Sequence, residues 1–230
     1  MADLASLQDI LGVTFRDLSL LEQALVHRSY LNENPDFALP SNERLEFLGD
    51  SLLGFVIAER LYRDFPDLSE GEMTRLRAAL VRKETLARLA GSLGFGAYLY
   101  LGRGEEASGG RDKQSTLAAA FEAVIGAILM DQGLTVAKGF LLRLFEGEIG
   151  RALEEKLIAD YKSRLQEIVQ ARHHVTPLYR TIREVGPDHA KEFTVEVIVG
   201  DSVIGRGHGK SKRLAEKEAA RDALEGLLQG

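Results

Sequence analysis

The chain has 230 residues, 45% of them apolar and 28% charged, with a formal net charge of −6. That composition belongs to an ordinary globular protein, long enough for one large domain or two smaller ones. Cysteine is absent, which excludes disulfides, thiolate zinc sites and cysteine nucleophiles and fits a reducing compartment.

The N-terminal MADLASLQDILGV lacks a basic region followed by an apolar run, and no window reaches 18 uninterrupted apolar residues. The expectation is a cytoplasmic protein with no membrane anchor. Helical periodicity then dominates to about residue 156. LSLLEQALVH (18–27), RLEFLGDSLLGFVIAERLY (44–62), GEMTRLRAALVRKETLARLAGSLG (71–94) and STLAAAFEAVIGAILMDQG (115–133) carry apolar residues at three- and four-residue intervals. Gly91, Gly94, Gly126 and Gly133 read as breakers within or after these segments. LGRGEEASGGRDKQ (101–114) is glycine-rich and polar, hence a connector; it lacks the Gly-Lys-Ser/Thr ending of a Walker phosphate cradle.

After RALEEK (151–156) the pattern changes. DYKSRLQEIVQ (160–170) is an amphipathic helix, PLYRTIREVG (177–186) and KEFTVEVIVG (191–200) alternate as strands, and DSVIGRGHG (201–209) is a third strand with a glycine-rich exit. SKRLAEKEAARDALEGLL (211–228) is a long closing helix. The predicted fold is therefore an all-α domain over 1–148, a linker over 149–158, and a small α+β domain of α-β-β-β-α order over 159–230. Charge divides the same way. Residues 160–230 hold 12 Lys/Arg against 11 Asp/Glu, whereas the rest of the chain holds 17 against 24. A basic cluster, GKSKR at 209–213, makes nucleic acid a candidate partner despite the acidic total.

Glu43, Glu46 and Asp50 stand at i, i+3 and i+7, one stripe of a helix, among Leu45, Phe47, Leu48, Leu52 and Leu53. Alone, three such acids also fit a solvated stripe in which Asp50 makes a local hydrogen bond. Glu122 adds a carboxylate isolated in the apolar run from Leu117 to Met130. Burying a lone carboxylate costs on the order of several kcal/mol unless it is compensated. A divalent cation between the two helices would satisfy all of these charges. Oxygen donors with no cysteine or histidine in reach point to Mg²⁺ or Mn²⁺. His27, His173, His174, His189 and His208 lie on unrelated segments and form no zinc or triad motif.

NERLEFLGDS (42–51) resembles the signature of the ribonuclease III family, and DLSEGEMTRLRAALVRKETLA (67–87) and FEAVIGAI (121–128) resemble its later blocks in the same order. The second unit resembles that family's double-stranded-RNA-binding domain, so the resemblance spans almost the whole chain and is closest to the simple bacterial type. It implies a homodimeric endonuclease on double-stranded RNA, dependent on Mg²⁺ with Mn²⁺ as a substitute, leaving 5′-phosphate and 3′-hydroxyl ends, in the processing of rRNA and mRNA. It further implies that Glu46, Asp50 and Glu122 hold metal, with Asp50 and Glu122 catalytic, that Glu43 and Glu70 lie near the RNA, and that Phe47 packs across the dimer interface. In the second domain it implies that Lys210, Ser211, Lys212 and Arg213 span the RNA major groove, while His189 and the pair Gln166 and Glu167 meet the flanking minor grooves. A solvated basic helix end remains the alternative for that cluster.

One position departs from the family. Where the pattern is L-A-D-x-x-E, this chain has Leu117-Ala118-Ala119-Ala120-Phe121-Glu122, so Ala119 replaces an aspartate. Mg²⁺ requires nearly complete octahedral oxygen coordination, and water in place of a carboxylate brings no charge. Impaired cleavage is the expectation, and a duplex-RNA-binding protein that does not cut is the alternative.

Overall fold

In the computed structural model, which describes residues 3–187 and 190–229, the chain forms two units, 1–149 and 150–230. The apolar repeats of the first unit fold as helices. Asp3 and Asp17 cap α1 (Leu4–Leu11) and α2 (Leu18–Ala24) by accepting the N–H of Ser6 and Ser19. They are followed by α3 (Arg28–Glu33) and by α4 (Glu43–Asp64), which carries the acidic stripe. A Ser69/Glu72 capping box starts α5 (Glu70–Leu80). The periodic segment 71–94 divides at Val81, whose N–H closes onto Arg77, and resumes as α6 (Lys83–Ser92). The expected connector 101–114 contains a short helix, α7 (Arg103–Ala107). Then come α8 (Gln114–Gln132) and α9 (Leu134–His173). The stretch 149–158, expected as a linker, has helical backbone.

Helix α8 is the centre of the first unit. By length and composition it could cross a membrane, yet Leu117, Ala118, Ala120, Phe121, Ala123, Val124, Ile125, Ala127 and Ile128 are all buried within the domain. The Phe121 ring lies 6.2–6.5 Å from those of Phe95, Phe140 and Phe145. Burying each of these rings supplies roughly 2–3 kcal/mol of apolar transfer energy. Gly126 is not a breaker. It lies inside α8, where an added Cβ would fall 2.2 Å from the Leu45 carbonyl oxygen of α4. Gly49 of α4 makes the reciprocal approach, with a Cβ position 1.7 Å from the Glu122 carbonyl oxygen. This glycine pair lets the two helix backbones touch.

In the second unit, β1 (Leu178–Val185), β2 (Glu192–Val199) and β3 (Ser202–Gly209) form an antiparallel sheet in the order β1-β2-β3, closed by α10 (Lys212–Gln229). With the helix at 160–170, this is the predicted α-β-β-β-α order. Val195 and Val197 are buried with Ala215, Ala219, Ala223, Leu165 and Val169. The glycine-rich end of β3 is part of the strand rather than an exit loop. Cβ atoms on Gly205 and Gly207 would lie 2.5 and 2.2 Å from the Ala219 and Ala215 carbonyl oxygens, so these glycines seat α10 directly on the sheet.

Candidate functional site

The glycine contact between α4 and α8 places Glu122 beside the acidic stripe. Burial, then the neighbouring Asp50 and Glu46, push the Glu122 carboxyl up to about 7, while Lys83 opposes the shift. Glu46 is raised by the same burial and by Glu43 and Asp50, again opposed by Lys83. Asp50 is exposed, and among the described residues neither it nor Glu122 makes a hydrogen bond or ion pair, so the local hydrogen bond considered for Asp50 is not formed. These are carboxylates short of positive charge.

A carboxyl whose folded pKa lies above its ordinary value contributes stability that is present below about 4.5 and is lost as pH rises through about 7. Glu122→Gln should therefore raise the stability of the metal-free chain at pH 8, by at most about 2–3 kcal/mol after solvent screening, and leave it nearly unchanged at pH 4.5. Thermal melts at the two pH values check this; equal shifts at both would contradict it.

A cleft of ≈ 250 Å³ opens beside the cluster, lined by Glu43, Glu46, Arg28, Lys113 and Ala119 among others. Arg28 pairs with Glu43 at 3.7 Å, the Ser41 hydroxyl donates to Glu43 at 2.8 Å, and Lys113 pairs with Glu105 at 3.1 Å. Glu46 and Ala119 both line this cleft, and Ala119 brings a methyl group where a larger side chain could bring an oxygen. Among the described residues no three His, Asp or Glu side chains are gathered closely enough to cage a cation as they stand. The three acids, Glu46 and Glu122 partly buried and Asp50 exposed, offer mutually repelling carboxylate oxygens that fit a hard divalent ion, although a histidine is also in reach: His27 lines the same cleft, its Nδ1 2.8 Å from the Ser29 hydroxyl.

Glu70 opens α5 and accepts the Thr74 hydroxyl at 3.0 Å; it is not among the charges that shift Glu46 or Glu122. Phe47 is 77% exposed, on α4 with the exposed Phe55 and Tyr62. These rings lie at spacings of eight and seven residues and so share one face of the helix. Lys83 was not legible as a site residue, since a single charge at a helix start carries no pattern. The glycine pair left no signal specific enough to read, since a lone glycine inside a helical pattern fits a weak point as well as a close approach.

In the second unit the Ser211 hydroxyl accepts the Leu214 N–H at 3.2 Å and caps α10. Lys212 stands 3.4 Å from Glu184 and 5.6 Å above the centre of the Phe193 ring; Arg213 stands 3.8 Å from Glu155. A cleft lined by Lys191, Glu192, Phe193, Lys210, Ser211 and Lys212 brings Lys191, just before β2, together with the basic groups of the β3–α10 corner. Gln166 and Glu167 are exposed on α9. His189 lies outside the described residues.

These features define a two-domain protein, a helical unit with a carboxylate cluster followed by an α-β-β-β-α unit with a basic helix start. A ribonuclease-III-like family profile matches residues 17–147, and a double-stranded RNA binding motif matches residues 161–227. The chain is 52% identical over 225 residues to Ribonuclease 3 of Dehalococcoides mccartyi (strain ATCC BAA-2266), covering 98% of this chain and 95% of that protein. It is 52% identical over 222 residues to Ribonuclease 3 of Roseiflexus sp. (strain RS-1), covering 96% and 94%. The crystal structure of the nuclease domain of ribonuclease III from Campylobacter jejuni superposes with a TM-score of 0.59 at 40% identity, over 64% of this chain and 97% of that one. The chain belongs to the ribonuclease III family.

Proposed function

We propose that this chain is an endonuclease of double-stranded RNA whose hydrolytic centre consists of Glu46, Asp50 and Glu122 with Mg²⁺, or Mn²⁺ in its place. The observation that carries the proposal is the backbone contact of α4 with α8 at Gly49 and Gly126, beside which the partly buried Glu122 carboxyl feels the charges of Asp50 and Glu46 and makes no ion pair among the described residues. Held there, the ion would supply charge neutralisation at the scissile phosphate and a more acidic water. In this reading Glu46, Asp50 and Glu122 would hold the ion, and Asp50, the exposed member of the three, would accept a proton from the attacking water. The products are 5′-phosphate and 3′-hydroxyl ends, as expected of a role in rRNA and mRNA processing in the cytoplasm. With Ala119 in the cleft wall, cleavage is impaired. Incubation of labelled duplex RNA with Mg²⁺ and then Mn²⁺ tests the proposal: slow cutting, faster with Mn²⁺, is expected, and cutting that proceeds equally in a chelator would sink it.

Ala119 favours a second reading, a protein that binds duplex RNA without cutting. No cleavage under either metal, with RNA binding intact, selects it.

The exposed Phe47, Phe55 and Tyr62 form an apolar face that suits a homodimer, and the Campylobacter jejuni nuclease domain shows structural flexibility in a region involved in dimer formation. Phe47→Glu should shift the chain toward monomer in sedimentation velocity at micromolar concentration. An unchanged dimer, or a parent chain that is wholly monomeric, would refute this use of the face.

A further inference from the structure

Two of the basic side chains at the β3–α10 corner are already engaged by a carboxylate of their own chain. Glu184, near the end of β1, stands 3.1 Å from the Lys191 ammonium through one oxygen and 3.4 Å from the Lys212 ammonium through the other. We infer that Glu184 is an internal competitor for RNA phosphate, occupying Lys191 and Lys212 in the free protein and lowering the affinity of the second unit for duplex RNA. The inference rests on the reading of Lys212 as a phosphate contact.

The geometry is that of an anion site filled from within. Lys191 and Lys212 line one cleft with Lys210 and Ser211, at the capped start of α10. Glu184 is not itself among the residues lining that cleft, which include the acid Glu192, but by bridging two of its ammonium groups it competes for them with a phosphate oxygen. The two lysines in turn hold the Glu184 carboxyl below the usual carboxylate range, so it stays ionised in ordinary buffers. All three side chains are partly exposed, Lys212 most of all, so the pair is a screened surface contact that an RNA phosphate can displace. Glu184 thereby tunes affinity without blocking binding. Its charge also opposes the approach of any polyanion to the corner.

The test uses the full chain and a duplex RNA of defined length, with affinity read by gel shift or fluorescence anisotropy at several salt concentrations. Glu184→Gln keeps the shape and removes the charge; it should bind RNA about 3- to 10-fold tighter at low salt, with the advantage shrinking as salt rises. In a Lys191→Ala/Lys212→Ala background the same substitution should change affinity little, because the groups it releases are gone. Equal or weaker binding by Glu184→Gln in the otherwise unaltered chain, with an unchanged melting temperature, would overturn the inference and make Glu184 a positioning residue at most. If Lys212→Ala alone leaves affinity unchanged, the reading of Lys212 fails first and the inference falls with it.

Discussion

Ala119→Asp is expected to raise Mg²⁺-supported cleavage of duplex RNA by about 10²-fold while leaving RNA affinity nearly unchanged. Residue 119 stands one helical turn before Glu122 on α8 and lines the same cleft as Glu46. An aspartate there adds the oxygen and the negative charge that a three-carboxylate cluster lacks for a hard cation. That factor corresponds to about 3 kcal/mol of transition-state stabilisation, comparable with the loss of one charged ligand. Affinity should hold because the basic corner of the second unit is untouched. A variant that cuts no faster at saturating Mg²⁺ would place residue 119 outside the metal site.

Gly49→Ala is expected to cost about 3 kcal/mol or more of unfolding free energy, and the fraction that folds should cleave poorly. The new methyl would lie 1.7 Å from the Glu122 carbonyl oxygen, so the helices must separate and carry Glu122 away from Glu46 and Asp50. Gly54→Ala on the same helix is the control: its Cβ meets nothing within 4 Å, and a helix-interior alanine there should gain roughly 0.5–1 kcal/mol. Urea titrations of the two variants should therefore move in opposite directions. Matching midpoints would mean that α4 and α8 do not pack backbone to backbone at Gly49.

Much of this was legible in the chain, for reasons that differ by residue. The stripe Glu43, Glu46 and Asp50 follows from helical spacing alone, and the isolation of Glu122 follows from composition, because an acid within an apolar run needs an explanation wherever it occurs. The second unit could be read from its switch of period from 3.6 to 2 and back. What the sequence did not reveal was contact between elements distant along the chain. Gly126 read as a breaker because glycine weakens isolated helices; in the fold its missing side chain is what α4 packs against. Gly205 and Gly207 read as a loop-like exit for the same reason, and in the fold they are a packing seam under α10. Val81 ends a helix that periodicity alone would continue, since the apolar repeat runs through the break. Lys83 and Glu184 carry no local pattern, and only tertiary placement sets Lys83 near Glu122 and Glu184 near Lys212.

The central claim is that Glu122 belongs to a hydrolytic carboxylate centre acting on duplex RNA. Its most direct test is the rate of Mg²⁺-dependent cleavage of a labelled duplex by Ala119→Asp, compared with Ala119→Asp carrying Glu122→Ala as well. The double variant should bind the duplex as tightly as the single one and should not cut it. Cleavage by the double variant at the rate of the single variant would remove Glu122 from the hydrolytic centre.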